Sequence, residues 1–255
     1  MMMNKLIINA DDFGLNTSVN NAIIESFEKG LINSTTLMAN MPGFEHAVEL
    51  AHTNNIGNKI GIHLTLTEGT PITTNPLMNE LYNKHNSNIK NYKRKLFFLS
   101  KKEKRLVYNE LAAQIIKVRN AGIKITHIDT HLHTHEVWTI TQIIFDLLRY
   151  YKIPSMRILN NLNRSTSYYK LSYRNFINKI IKAKGVNNTD YFGNQLEAIW
   201  QLEHDPIFFD KKKLEIMVHP DYENNGILID KIKDATVHFD YPEIIRRQLL
   251  LNRIT

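Results

Sequence analysis

The chain has 255 residues, 43% hydrophobic and 22% charged, with a formal net charge of +7 and no cysteine. That apolar fraction supports a sizeable core and excludes wholesale disorder. The absence of cysteine excludes disulfides, thiolate-ligated zinc, iron–sulfur clusters and thiol nucleophiles, so any metal must be held by histidine and carboxylate.

The basicity is local. Lys84 to Arg105 contains nine Lys/Arg and one acid, Glu103, and so carries +8, which leaves −1 for the rest of the chain. We read 84–105 as a basic insertion or surface segment within one domain spanning 1–255, with Leu96, Phe97, Phe98 and Leu99 expected to pack onto the body or a partner. No helix-turn-helix, zinc-finger or aromatic RNA-binding pattern accompanies the charge, so nucleic acid is not an expected partner. Nor is a membrane, since no apolar run approaches the roughly 18 residues of a span. Met1 to Asn9 shows no small-residue cleavage site before Asp11, and a cytoplasmic location is the expectation. Two-fold symmetry is the commonest oligomeric arrangement, which makes a homodimer the default.

In chain order, Lys5–Asn9 is a short apolar run and reads as a first strand. Ser18–Lys29 places Val19, Ala22, Ile23 and Phe27 at helical spacing and stops at Gly30. Thr35–Asn40 is a second strand, and Pro42-Gly43 opens a helix carrying Phe44, Ala47, Val48 and Ala51. Lys59–Leu66 has the β-branched character of a third strand, Leu106–Ala121 is helical, and Lys124–Asp129 is the next strand. Val137–Tyr151 is helical; Met156–Leu159, Thr189–Phe192 and Glu215–His219 are further strands; Tyr241–Asn252 is a closing helix. Thr70–Ser100 and Asn160–Asn194 read as long connections. This alternation predicts an α/β fold, a single-domain irregular (β/α) barrel of about seven parallel strands.

Polar groups gather at the carboxyl ends of these strands, where parallel α/β folds bind their ligands. The first strand ends in Asp11-Asp12, the third carries His63, and the fourth runs into His127-Ile-Asp129-Thr-His131-Leu-His133-Thr-His135. In extended chain His127, Asp129, His131, His133 and His135 would share one face. Neutral imidazole is the commonest metal ligand, so at least one of these histidines is expected on a metal, and spacing alone leaves open which. Two adjacent carboxylates at a buried strand end repel unless a cation neutralises them, and a divalent ion can take one as ligand and leave the other as base. His219, before Pro220 and Asp221, would complete an acid–base pair of the kind that amide hydrolysis needs.

The pieces LIINADDFGLN (Leu6–Asn16), NSTTLMANMPGFEHAVELA (Asn33–Ala51), IGIHLTLTEGTPI (Ile60–Ile72), THIDTHLHTH (Thr126–His135) and MVHPDY (Met217–Tyr222) resemble the YdjC-like carbohydrate deacetylase family, collinearly over nearly the whole chain. The resemblance implies a deformed (β/α) barrel of the glycoside hydrolase/deacetylase type, one divalent ion (Mg²⁺ or Zn²⁺), and removal of an N-acetyl group from an amino sugar or short chitooligosaccharide. Matched residue by residue, it implies Asp12, His63 and His131 as metal ligands, Asp11 as base and His219 as acid. His127, Asp129, His133 and Arg157 are left to substrate contact or support of the ligands. The chain departs from the family at Met156–Asn160, which keeps Arg157 but lacks the Pro and Glu of the usual Arg-x-Pro-x-Glu-like stretch. Two rivals stand beside this reading: a metal-dependent phosphoesterase or amidohydrolase, and a non-catalytic sugar-binding protein on the same fold.

Overall fold

A computed structural model describes residues 5–83, 89–163, 166–205, 207–209, 211–232, 235–242 and 245–246. The strands are β1 (Lys5–Phe13), β2 (Ser34–Leu37), β3 (Ile60–Leu64), β4 (Ile128–Thr130), β5 (Tyr191–Asn194), β6 (Lys213–Val218), β7 (Pro220–Tyr222), β8 (Leu228–Ile232) and β9 (Ala235–Val237). The helices are α1 (Thr17–Glu28), α2 (Phe44–Thr53), α3 (Pro76–Asn83), α4 (Ile89–Phe97), α5 (Lys101–Asn120), α6 (Trp138–Tyr151), α7 (Tyr168–Ala183) and α8 (Gln195–His204).

Hydrogen bonding orders the first six strands β4-β3-β2-β1-β6-β5. The pairs β1–β6, β3–β4 and β5–β6 are parallel. The expected seventh parallel strand at Met156–Leu159 is reduced to a single bridge from Met156 to Ile128. A few residues on, Asn161 exchanges hydrogen bonds with Phe192 of β5. A small antiparallel sheet, β7-β8-β9, was not expected; its strands are only three to five residues long and flank the turn at Gly226, too short to show a period.

The chain divides into two compact units, one of residues 1–11, 18–35 and 157–255, the other of residues 12–17 and 36–156. In the first, Leu6, Ile8 and Ala10 of β1 stand in register with Leu214, Ile216 and Val218 of β6, and all six are buried. These alternate positions form one apolar face that the two strands share. α1 buries Val19, Ala22, Ile23 and Ser26, an i, i+3, i+4, i+7 face. It ends where Leu31 N–H returns to Ser26 O and Gly30 takes φ +70°, a left-handed cap that glycine adopts without steric cost.

In the second unit every residue of β3 is buried. α5 begins at Lys101, five residues before the expected Leu106, because Ser100 and Glu103 form a reciprocal capping box ahead of the apolar repeat. The two long connections hold helices: α3 and α4 lie within Thr70–Ser100, and α7 within Asn160–Asn194. In the basic segment Leu96 and Leu99 are buried as expected, whereas Phe97 and Phe98 are exposed. Leu96 lies on the buried side of α4, and Leu99 lies just past its end. The expected closing helix lies mostly outside the described residues; Ile245 and Arg246 are helical. No helix among the described residues is long and apolar enough to cross a membrane.

Candidate metal centre and ion network

Asp12, next to last in β1, takes a left-handed conformation, φ +68°, that non-glycine residues adopt at a cost. Gly14 follows at φ +94°; a Cβ there would stand 2.8 Å from Met38 O. ADDFG therefore ends the strand abruptly and turns the Asp12 side chain towards β3 and the chain after β4 within the second unit.

His63 lies on β3 opposite Asp129 on β4, and the parallel register sets the two side chains on one face. His63 Nδ1 is 2.7 Å from Asp129 Oδ1, and Thr36 Oγ1 donates to Asp129 Oδ2 at 3.1 Å. An ionised carboxylate can only accept, so Nδ1 carries the proton and Nε2 presents its lone pair. That lone pair faces Asp12 Oδ1 at 3.3 Å, and His131 Nδ1 lies 3.0 Å from the same oxygen. The three side chains make one candidate cation site. Two lone pairs turned on each other at 3.3 Å call for a positive charge between or beside them. One carboxylate and two imidazoles form a donor set for a divalent ion such as zinc. The residues fit such an ion.

Without an ion, protons serve that purpose. Burial works against the charge of Asp12, but hydrogen bonds and charge from His131 and His63 outweigh it and hold the carboxyl well below its usual range. Burial likewise opposes protonation of His131, yet the carboxylates of Asp12 and Glu68 carry its pKa up to about 9.

The shared face of the histidine run holds only as far as the strand does. His127 sits one layer below His63, its ring against Gly61, where a Cβ would come within 2.5 Å of it. His127 Nδ1 bonds Thr126 Oγ1 at 2.8 Å. After Thr130 the chain enters a 3-10 turn, His131–Glu136, with Leu132 and His133 at positive φ, and the alternation ends. His133 therefore lies outside the cation cluster, as does His135, which is buried with Nδ1 on Thr130 Oγ1 at 2.6 Å. An extended segment would have placed both beside His131.

The first unit holds a different constellation. Arg157, 1% exposed, grips Asp11 with two bonds of 2.7 Å. Its Nε reaches Glu215 Oε1 at 2.6 Å, its guanidinium lies over the Phe192 ring, and Asn9 Nδ2 adds a bond of 2.9 Å to Asp11 Oδ1. With so little exposure, Arg157 meets Asp11, Glu215 and Phe192 and not the surface. The register Ala10↔Val218 sets Asp11 and His219 just beyond paired residues of neighbouring strands. β8 grips the His219 backbone from both sides: its N–H donates to Asp230 Oδ1 at 2.7 Å, and its carbonyl accepts from Lys231 N–H at 2.9 Å. Burial raises the Asp230 pKa to about 6, and the charge and backbone N–H of His219 hold it from rising further. Asp221 pairs with Lys231 at 3.1 Å.

Thr36, Glu68, Glu215 and Asp230 were not singled out from the sequence. Glu215, an acid inside the apolar strand KLEIMV, is the one with a legible signal, because a carboxylate in a buried strand requires a partner.

Fold and site together define an α/β protein with an Asp–His–His cluster at its strand ends. The chain belongs to the YdjC-like family: the family model, described as YdjC-like protein, matches residues 5–248. A carbohydrate deacetylase of Clostridium beijerinckii is 31% identical over 257 residues, covering 98% of this chain and 92% of the relative. A carbohydrate deacetylase of Brevibacillus brevis is 33% identical over 228 residues, covering 88% and 84%. The crystal structure of an Enterococcus faecalis protein assigned to cellobiose-phosphate cleavage superposes with a TM-score of 0.61 at 29% identity, over 87% of this chain and 82% of that one.

Proposed function

We propose that this chain is a metal-dependent carbohydrate deacetylase that hydrolyses the N-acetyl group of an amino sugar or short chitooligosaccharide to acetate and a free amine. The observation that carries this reading is the cluster of Asp12, His63 and His131 in a chain whose full-length relatives are named carbohydrate deacetylases. Those three residues would hold one divalent ion, Zn²⁺ or Mg²⁺, which supplies a Lewis acid for the amide carbonyl and lowers the pKa of water.

The remaining work falls to groups of the chain. Asp11 takes a proton from the attacking water as the water oxygen bonds to the acetyl carbon. Arg157 keeps that carboxylate ionised and oriented through its paired bonds. His219, protonated, delivers a proton to the departing nitrogen, so that the C–N bond breaks to an amine and not to an amine anion. Asp129 holds His63 in the tautomer whose Nε2 faces Asp12.

The test is acetate release from a panel of N-acetylated amino sugars, mono- to trisaccharides with and without a phosphate ester. It is run on metal-stripped protein and again after Zn²⁺ or Mg²⁺ is restored. Acetate release that follows the metal supports the reading. Phosphate release without acetate would favour the phosphoesterase, and tight sugar binding without turnover would favour the binding protein.

A further inference from the structure

Each imidazole of the cluster has a second ring nitrogen, and each of those nitrogens faces a carboxylate. For His63 it is Asp129, buried, borne on the neighbouring strand and 2.7 Å away. For His131 it is Glu68: Nε2, buried and without a direct hydrogen bond, lies 3.5 Å from Glu68 Oε2, and the Glu68 side chain is 42% exposed. We infer that Glu68 is the positioning residue of His131: with an ion bound, its carboxylate draws the ring proton to Nε2 and so leaves the Nδ1 lone pair on the side of Asp12. The inference rests on the metal reading above.

The loop bearing Glu68 is built to hold it there. Thr65 exchanges two hydrogen bonds with Gln114 of α5, N–H to Oε1 at 3.0 Å and Nε2–H to the carbonyl at 2.8 Å. Tyr82 of α3 donates to Thr65 O at 2.6 Å and Tyr92 of α4 to Leu66 O at 2.5 Å. Asn40 Nδ2 donates to the carbonyl of Glu68 itself at 2.8 Å. Gly69 follows at φ +76°, where a Cβ would stand 2.5 Å from Asn40 O. Farther on, the fully buried Glu110 accepts the N–H groups of Ile72 and Thr73 at 3.0 and 2.8 Å and the Thr73 hydroxyl at 2.6 Å. The backbone is thus pinned on both sides of Glu68, whose side chain stands beside His131. The two histidines thus use opposite ring nitrogens, His63 through Nε2 and His131 through Nδ1, each backed by its own carboxylate.

The experiment uses Glu68→Ala and Glu68→Gln. Zn²⁺ affinity of the metal-stripped full chain is measured by chelator competition, and the His131 tautomer is read from ¹⁵N imidazole shifts of the zinc-loaded protein. Glu68→Ala is expected to bind Zn²⁺ on the order of 10- to 100-fold more weakly, the usual effect of removing such a partner. Glu68→Gln, whose amide oxygen still accepts the Nε2–H, recovers most of that loss and keeps the wild-type ¹⁵N pattern. Both metal-free variants keep the wild-type circular dichroism spectrum, which shows that they fold. Unchanged affinity and ¹⁵N pattern in Glu68→Ala would overturn the inference, and a raised KM alone would make Glu68 a substrate contact. A wild-type chain that binds no Zn²⁺ would sink the metal reading itself. One that binds Zn²⁺ without releasing acetate would sink the deacetylase and leave the Glu68 result standing.

Discussion

Asp11 and Asp12 are joined by one peptide bond, yet their charges are balanced by different chemistry. Asp11 belongs to a network of permanent charges, because the Arg157 guanidinium that grips it and Glu215 cannot be deprotonated in a protein. Asp12 is balanced by two imidazoles, which can exchange a proton for a metal ion. The first arrangement favours the ionised carboxylate through a cation that does not itself titrate. The second makes a site whose occupant can change. The proposed roles, base for Asp11 and ligand for Asp12, call for this difference, and it is visible in their partners and not in the acids themselves.

The comparison breaks first at Arg157. Arg157→Met leaves two buried carboxylates without a cation and should destabilise the protein by about 3–5 kcal/mol, read from the denaturant midpoint. A midpoint equal to the wild type would show that the network is not what holds Asp11.

The acids can then be separated directly. Asp11→Asn should keep its metal and lose acetate release on the order of 10²–10⁴-fold, the usual worth of a general base. Asp12→Asn should bind metal poorly, with excess metal restoring part of its activity. Metal content measured beside turnover decides this, and the opposite pattern would exchange the two roles.

The titratable half of the comparison predicts a pH dependence. In metal-free protein His131 has a pKa of about 9 against an ordinary value of 6.5. A raised histidine contributes stability that is complete below the ordinary value and is lost as pH rises through the folded one. Metal-free protein should therefore melt at falling temperature between pH 6.5 and 9, and saturating Zn²⁺ should flatten that slope. A flat metal-free profile would mean that His131 is not the proton holder.

The smallest effect concerns Asp230, whose folded pKa of about 6 lies above its ordinary 3.8. Its ionisation costs stability as pH rises across that interval. Asp230→Asn keeps an oxygen for the His219 N–H and should melt above wild type at pH 7.5, with the gain vanishing near pH 4. A gain that persists at pH 4 would assign it to packing instead.

Much of the fold was legible because its signals are local. α1 and α6 show helical apolar spacing, and the runs Lys5–Asn9 and Lys59–Leu66 are continuous and β-branched, as strands buried on both faces must be. The helices inside Thr70–Ser100 were hidden because α4 is mostly lysine, arginine and asparagine, with only Tyr92 and Leu96 buried. The shared face of His127, Asp129 and His131 followed from strand alternation. That His133 leaves it did not, because a left-handed pair of residues at 132 and 133 has no glycine to announce it.

By itself the sequence determined which chemistry is available: no thiols, two adjacent acids at a strand end, and histidines at the ends of others. Only the tertiary structure decided who partners whom. Asp11 meets Arg157 across 146 residues, His63 meets Asp129 across 66, and His131 meets Glu68 across a folded loop. The physical reason is that a charge is balanced through space. Composition and periodicity report the neighbours a residue has along the chain, whereas the ion that settles its protonation arrives from another strand.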